Sequence, residues 1–166
     1  MRKLSARDLT LAAIVGAIYV VLGYFGNIFN LTFGAVQCRF AEALTVLPFL
    51  NPITAWGLFI GCLITNILSP YGLLDMIFGP LTTLVAALLT AHCKHKWLAP
   101  LPPVLCNAIV IPALIAFQTV GFGAGFWPMY FYQAATIGAG QILACYGLGM
   151  VVLSVVERVA PRLKRR

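Results

Sequence analysis

Acidic residues are almost missing: 4 of 166 positions are Asp or Glu, and charged residues of either sign make up 9% of the chain. An ordinary soluble domain carries roughly 25% charged residues. With 61% of its residues hydrophobic, this chain lacks the polar side chains to cover a water-facing surface, so it is read as an integral membrane protein. Its backbone must then be satisfied within helices or a closed barrel. Barrel strands alternate apolar and polar residues over segments of about ten; the apolar runs here are continuous and rich in Leu and Ala, which predicts helices. Catalytic signatures are missing too. No Walker loop, Gly-x-Ser-x-Gly, His-Glu-x-x-His or Asp-rich metal motif occurs, so no motif in the chain provides for ATP hydrolysis, and it is not expected to be an enzyme. The five cysteines, 38, 62, 93, 106 and 145, form no Cys-x-x-Cys pair and read as reduced packing thiols. His92, Cys93 and His95 share one short loop, too weak a set to predict a metal, and no cofactor is expected.

The cations are placed unevenly. Net charge is +7, with Arg2, Lys3 and Arg7 before the first apolar run, Lys94 and Lys96 in one loop, and Arg158, Arg162, Lys164, Arg165 and Arg166 after the last run. Clusters at span ends follow the positive-inside rule rather than a nucleic-acid footprint. Hydropathy and breakers predict one membrane domain over 1–166 with helices at about 8–26, 37–50, 53–68, 73–92, 103–120 and 127–157. Asp8 is the expected N-cap, Asn27–Val36 a loop with some extended character, and Asn51-Pro52 a helix stop. Gly79-Pro80 predicts a kink, and the long last helix is expected to loosen near Gly138-Ala139-Gly140. Six crossings put all three basic clusters on one side, with both termini cytoplasmic, whereas merging the second and third helices would strand two clusters outside. The first span reads as a retained anchor, not a cleaved signal.

Against this background the few polar groups stand out. A carboxylate inside hydrocarbon is retained where it pairs, faces a cavity or does work. Asp8 and Glu157 lie near the basic ends, but Glu42 and Asp75 lie in or beside apolar segments. Arg39 and Glu42, three apart, share a helix face, either as an ion pair or as contacts to a polar ligand. Asp75 is a helix-start cap or a ligand group. The topology gathers Arg39, Asn66, Asp75, Gln118 and Trp127 toward the outer side. Asn66 and Gln133, one to two turns from the outer ends, are pocket candidates; Asn107 and Gln141, deeper, fit interhelical hydrogen bonding. Trp127, Tyr130 and Tyr132 form an interfacial belt or offer a stacking face. In the first helix Ala12/Gly16 and Ala13/Ala17 are two overlapping small-xxx-small patterns, suited to internal packing or to docking a partner subunit.

Val36-Gln37-Cys38-Arg39-Phe40-Ala41-Glu42-Ala43-Leu44-Thr45-Val46-Leu47-Pro48 resembles the queuosine-precursor transporter (QueT) family. So do Gly61-Cys62-Leu63-Ile64-Thr65-Asn66-Ile67-Leu68-Ser69-Pro70 and Asp75-Met76-Ile77-Phe78-Gly79-Pro80-Leu81. In layout the resemblance runs over most of 5–157, with its specific motifs between 36 and 83. It implies a compact six-transmembrane-helix bundle, the substrate-binding S component of an energy-coupling factor (ECF) transporter in a prokaryotic plasma membrane. Its implied partners are a transmembrane coupling subunit and two ATPase subunits, met through Ala13 and Ala17 or through Ala12 and Gly16. It also implies an outward-open pocket, capped by the loop between helices one and two, for a 7-deazaguanine base.

Such a base suits the polar set. Its guanine-like edge presents two parallel donors that one carboxylate, Glu42, accepts. Arg39 reads the O6 acceptor, Asn66 or Gln133 the remaining edge, and Asp75 an aminomethyl cation. Tyr130 or Trp127 stacks on the ring. Three alternatives stand beside this reading: an S component for another vitamin or an aromatic amino acid, a small membrane enzyme using Glu42 and Asp75 or the two histidines, and a purely structural subunit.

Overall fold

A capping box opens the first helix: Ser5 Oγ accepts from the Asp8 amide at 3.2 Å, and Asp8 Oδ2 accepts from the Ser5 amide at 3.2 Å and its hydroxyl at 2.9 Å. Ser5 is therefore the N-cap and Asp8 its reciprocal partner, a correction to the expectation that Asp8 itself would cap. The computed structural model describes residues 5–29, 31, 39–67 and 69–161. Asn30, Gln37, Cys38 and most of the expected first loop lie outside the described residues, as do Arg2, Lys3, Arg162, Lys164, Arg165 and Arg166.

Helix α1 spans Ala6–Ile28, running through Asn27 where a loop was expected. A ten-residue 3-10 helix follows at Phe40–Phe49, then α2 (Thr54–Asn66), α3 (Gly72–Ala91), a 3-10 turn (Lys96–Leu98) and α4 (Leu101–Val120). The last helical run joins α5 (Phe126–Ile142), a π-helical segment (Leu143–Gly149) and α6 (Met150–Val159) without a break. No strand occurs among the described residues. Four stretches are long and apolar enough to cross a membrane, Ala6–Ile28, Gly72–Ala91, Lys96–Val120 and Phe126–Val159. Their outer faces carry exposed Val21, Leu73, Ile109, Phe131 and Val151, a surface that suits acyl chains rather than water. The chain is an all-α, multi-pass membrane protein.

The 3-10 helix is the central element, packed against α1, α2, α3, α6 and the π segment. Every side chain from Ala41 to Phe49 is buried. Runs this long are uncommon, but the 3-10 rise of about 2.0 Å stretches ten residues to roughly 20 Å, where an α-helix would give about 15 Å. Three residues per turn also eclipse positions i and i+3, so Arg39, Glu42 and Thr45 stand in one row. Thr45 Oγ1 donates to Glu42 O at 2.6 Å within it.

Glycines set how closely the surrounding helices approach. A Cβ on Gly57 of α2 would lie 2.1 Å from Ala12 O, and one on Gly61 2.8 Å from Gly16 O, so α1 and α2 touch backbone to backbone. Asn51 starts α2, its side-chain Oδ1 accepting from Ile53 N at 3.2 Å and its carbonyl from Thr54 Oγ1 at 2.8 Å. Pro80 is accommodated within α3, which continues to Ala91. The last run stays α-helical through Gly138-Ala139-Gly140 and widens instead at 143–149. The reason is packing: Gly138 faces Ala108 of α4 and Gly140 is buried, whereas a Cβ on Gly147 would meet nothing within 4 Å. At the end of that wide segment Gly149 has Val46 and the Ala43 carbonyl of the 3-10 helix within 3.2 Å of where its Cβ would be.

Contacts fix the directions. Gly57 meets Ala12 while Thr65 meets Gly23, so α1 and α2 run parallel with the 3-10 helix returning between them. α3 descends from Asp75 to His92, and α4 climbs back until Gln118 Nε2 donates to Tyr71 O. One end of the bundle therefore holds Asn66, Ser69, Tyr71, Asp75 and Gln118, and the other holds Arg7, Lys94, Lys96 and Arg158.

Candidate functional site

The buried polar groups form two linked clusters around the 3-10 helix. Glu42 is fully enclosed, at 0% exposure. Tyr19 of α1 donates its hydroxyl to Glu42 Oε1 at 2.7 Å, and Asn107 of α4 donates Nδ2 to Glu42 Oε2 at 3.4 Å. Both oxygens accept a hydrogen bond. Nearer the Asp75 end, Arg39 Nη2 donates to Asn66 Oδ1 at 2.9 Å and Asn66 Nδ2 donates to the Asp75 carbonyl at 3.0 Å. Both carboxylates lie within electrostatic reach of the Arg39 guanidinium. One buried guanidinium thus faces two buried carboxyl groups.

Local geometry explains why these side chains hold their places. Asp75 sits in the first turn of α3, where Ser69 Oγ donates to its Oδ2 at 2.5 Å and Tyr71 N donates back to Ser69 Oγ at 3.2 Å. Asp75 is therefore a turn-closing carboxylate at a helix start, a placement the dipole favours. Gly79, one turn on, leaves the space that the Asn66 amide fills: a Cβ there would lie 2.3 Å from Asn66 Nδ2. Behind Glu42, Cys145 of the π segment donates Sγ to Gln141 Oε1 at 3.4 Å and to Glu42 O at 3.6 Å.

Among the described residues two buried acceptors have no donor, Asn107 Oδ1 and Gln133 Oε1, on side chains 1% and 7% exposed. The Glu42 carboxylate fixes which way the Asn107 amide faces, because only the NH2 end can meet an anion. Its Oδ1 is therefore held away from Glu42. An orphaned buried acceptor is destabilising by about 1–3 kcal/mol, and most buried polar groups in folded proteins are paired.

Of the predicted site residues, Arg39, Glu42, Asn66 and Asp75 come together, with Gln133 buried on α5. Tyr130 and Trp127 do not join them. Trp127 is 61% exposed and stacks on Phe131 at 6.0 Å, while half-buried Tyr130 stacks on Phe126 at 6.2 Å. These rings belong to an aromatic band that runs through Phe117, Phe122 and Phe126. The two small-residue patterns on α1 differ in burial. Ala12 and Gly16 are buried against α2, whereas Ala13 and Ala17 are exposed, and all four line an apolar groove of about 500 Å³ with Val20, Trp56, Ile60 and Ile64. His92 and Cys93 serve the end of α3: His92 Nδ1 lies 2.7 Å from Leu88 O, and Cys93 Sγ donates to Leu89 O and Leu98 O. No group of three or more His, Cys, Asp or Glu side chains among the described residues is arranged to hold a metal ion.

Sequence reasoning missed Tyr19 and gave Asn107 interhelical hydrogen bonding, the role its contact with Glu42 fills. The signal for Tyr19 is positional. It falls on the buried stripe Ala12, Val15, Gly16, Tyr19, Gly23 and Gly26, which would have turned a phenol toward the core.

Comparisons with known proteins bear on the family. A family model described as "QueT transporter" matches residues 9–158. The Queuosine precursor transporter QueT of Lactococcus lactis subsp. cremoris (strain MG1363) is 36% identical over 85 residues, which is 51% of this chain and 50% of that protein. The chain thus spans about half the length of the curated relative it matches. No solved structure matches. With 150 consecutive positions from Leu9 to Arg158 matched, the chain belongs to the QueT transporter family.

Proposed function

We propose that the protein is the substrate-binding S component of an ECF importer and captures a queuosine precursor, a 7-deazaguanine base, from outside the cell. The observation that carries this reading is the pair of buried acceptors, Asn107 Oδ1 and Gln133 Oε1, that have no donor among the described residues, the first of them on the amide that Glu42 holds. A guanine-like edge brings an N1–H and an exocyclic amine, which are the donors those acceptors lack. Glu42 orients Asn107 and keeps a second lone pair on each oxygen for the ligand. Arg39 faces the base's O6. The excess negative charge of Glu42 and Asp75 over Arg39 suits an aminomethyl cation on the base. The relative from Lactococcus lactis is named for the same cargo.

In this reading all six helical rods cross the bilayer of a prokaryotic plasma membrane. The two short ones, at roughly 20 Å each, are shielded from lipid by their neighbours. The positive-inside rule puts the Lys94–Lys96 end and both termini in the cytoplasm. The coupling subunit docks on the groove along α1 and α2, whose exposed small residues are Ala13 and Ala17, and two ATPase subunits drive reorientation of the whole protein.

Titrating purified protein with a 7-deazaguanine base tests the substrate class: saturable binding is expected, and none with that base but saturation with another vitamin would reassign it. Ala13→Trp, on the exposed side of α1, is expected to leave that binding unchanged and to abolish co-purification of the coupling subunit. Retained uptake in the variant would remove the groove from the docking face.

A further inference from the structure

The bundle end opposite Asp75 holds a second polar surface that substrate capture does not use. A groove of about 600 Å³ lies between the Lys96–Leu98 turn and the last helical run, lined by Lys96, Trp97, Tyr146, Met150, Ser154 and Arg158 among others. No acidic side chain lines it. Lys96 and Arg158 are both exposed, and among the described residues no carboxylate pairs with either. The Ser154 hydroxyl already donates to Met150 O at 2.8 Å, which leaves the ammonium, the guanidinium, the Tyr146 hydroxyl and the Trp97 indole N–H as the groove's donors. A rim of donors with two positive charges selects a phosphate-type anion.

The floor decides what that anion is attached to. Met150, Val151 and Val155 form it, and Val151 and Val155 are 61% and 52% exposed, continuing the apolar face outward from the groove. Trp97, at 66% exposed, has the placement of an interfacial indole. The π segment shapes the groove. Tyr146 and Gly147 lie in its widened turn, and Gly147 leaves open space where a side chain would stand. Such segments recur at functional sites.

We infer that this groove binds the headgroup of an anionic phospholipid, with the phosphate between Lys96 and Arg158 and the acyl chains along Val151 and Val155. A basic pocket between membrane helices at a lipid surface is suited to that ligand. A lipid seated there ties the α3–α4 turn to α6 and holds the basic end of the bundle at the headgroup level.

The test is thermal unfolding of the full chain in neutral detergent, titrated with phosphatidylglycerol, phosphatidylcholine or inorganic phosphate. Phosphatidylglycerol is expected to bind at least tenfold more tightly than phosphatidylcholine. Lys96→Glu and Arg158→Glu are each expected to weaken it about fivefold, and Arg7→Glu, which removes an exposed cation outside the groove, to leave it unchanged. Where charge reversal unfolds the chain, Lys96→Gln with Arg158→Gln replaces it and is expected to weaken binding in the same direction. Equal stabilisation by both lipids, or unchanged binding in the Lys96 and Arg158 variants, overturns the assignment. So does equal weakening by Arg7→Glu, and a matching shift with inorganic phosphate points to a soluble anion instead. A 7-deazaguanine titration of the same variants reads the substrate site separately, and unchanged affinity is expected there.

Discussion

Glu42→Ala is expected to lower the affinity for a 7-deazaguanine base at least tenfold and to destabilise the fold by about 3–5 kcal/mol, the range for breaking a buried charge network from one side. The substitution leaves the Tyr19 hydroxyl and the Asn107 amide without their acceptor, and it removes an anion near the buried Arg39 guanidinium. Stability and binding fall together in that variant, so Glu42→Gln separates them. The new side-chain oxygen still accepts from Tyr19, but its NH2 end meets Asn107 Nδ2 donor to donor. The Asn107 amide then turns over, and the acceptor offered to the ligand becomes a donor. Glu42→Gln is therefore expected to unfold at nearly the wild-type temperature while losing at least tenfold in affinity, about 1.4 kcal/mol. Calorimetric titration beside a melting curve measures both. Full affinity in Glu42→Gln would show that neither the carboxylate nor the orientation it imposes on Asn107 reads the ligand.

The polar centre was half legible in the sequence, for reasons that particular residues make plain. Arg39 and Glu42 announce themselves, because charges inside apolar runs demand an account, and a spacing of three shares a face whether the winding is α or 3-10. The winding itself was hidden. Ala41 through Phe49 is apolar apart from Glu42 and Thr45, so no periodicity distinguishes 3.0 from 3.6 residues per turn, and only complete burial on all sides favours the tighter, longer form. Thr45 joins the Arg39 and Glu42 row because of that winding.

Tyr19, and the partner that Asn107 finds for its interhelical hydrogen bond, were hidden for a different reason. Tyr19 and Asn107 meet Glu42 across 23 and 65 residues of chain, and pairing over such separations is set by packing that local pattern does not encode. Trp127 and Tyr130 show a different ambiguity, since aromatic rings near a span end serve the lipid interface as readily as a ligand. Small residues four apart were equally ambiguous until α2 claimed Ala12 and Gly16. The widened turn at 143–149 escaped because glycines at 138 and 140 looked like the weak point, yet one faces α4 and the other is buried.

The same glycine chemistry sets the second large effect. Gly57→Leu is expected to abolish folding or leave a protein that neither melts cooperatively nor binds, because no rotamer avoids the contact: the Cβ alone lies 2.1 Å from Ala12 O and 2.9 Å from its carbonyl carbon. The clash is with main chain, so α1 as a whole must move away from α2. Tyr19 moves with it. The Cβ of Tyr19 lies 2.9 Å from where a Cβ on Gly61 would be, so the α1–α2 seam and the hydroxyl that holds Glu42 are one mechanical unit. Gly57→Ala grades the effect, with a loss of about 2–3 kcal/mol expected from overpacking and a weakened ligand affinity alongside it. Gly138→Ala is the contrast, since its added Cβ meets Ala108 Cβ at an ordinary 3.6 Å. Alanine is the better helix former by up to about 1 kcal/mol, so that variant is expected to be neutral or more stable. Melting curves of the two alanine variants in the same detergent decide the matter. Equal, small changes in both would mean that α1 and α2 do not meet backbone to backbone, and the route from that seam through Tyr19 to Glu42 would fail with it.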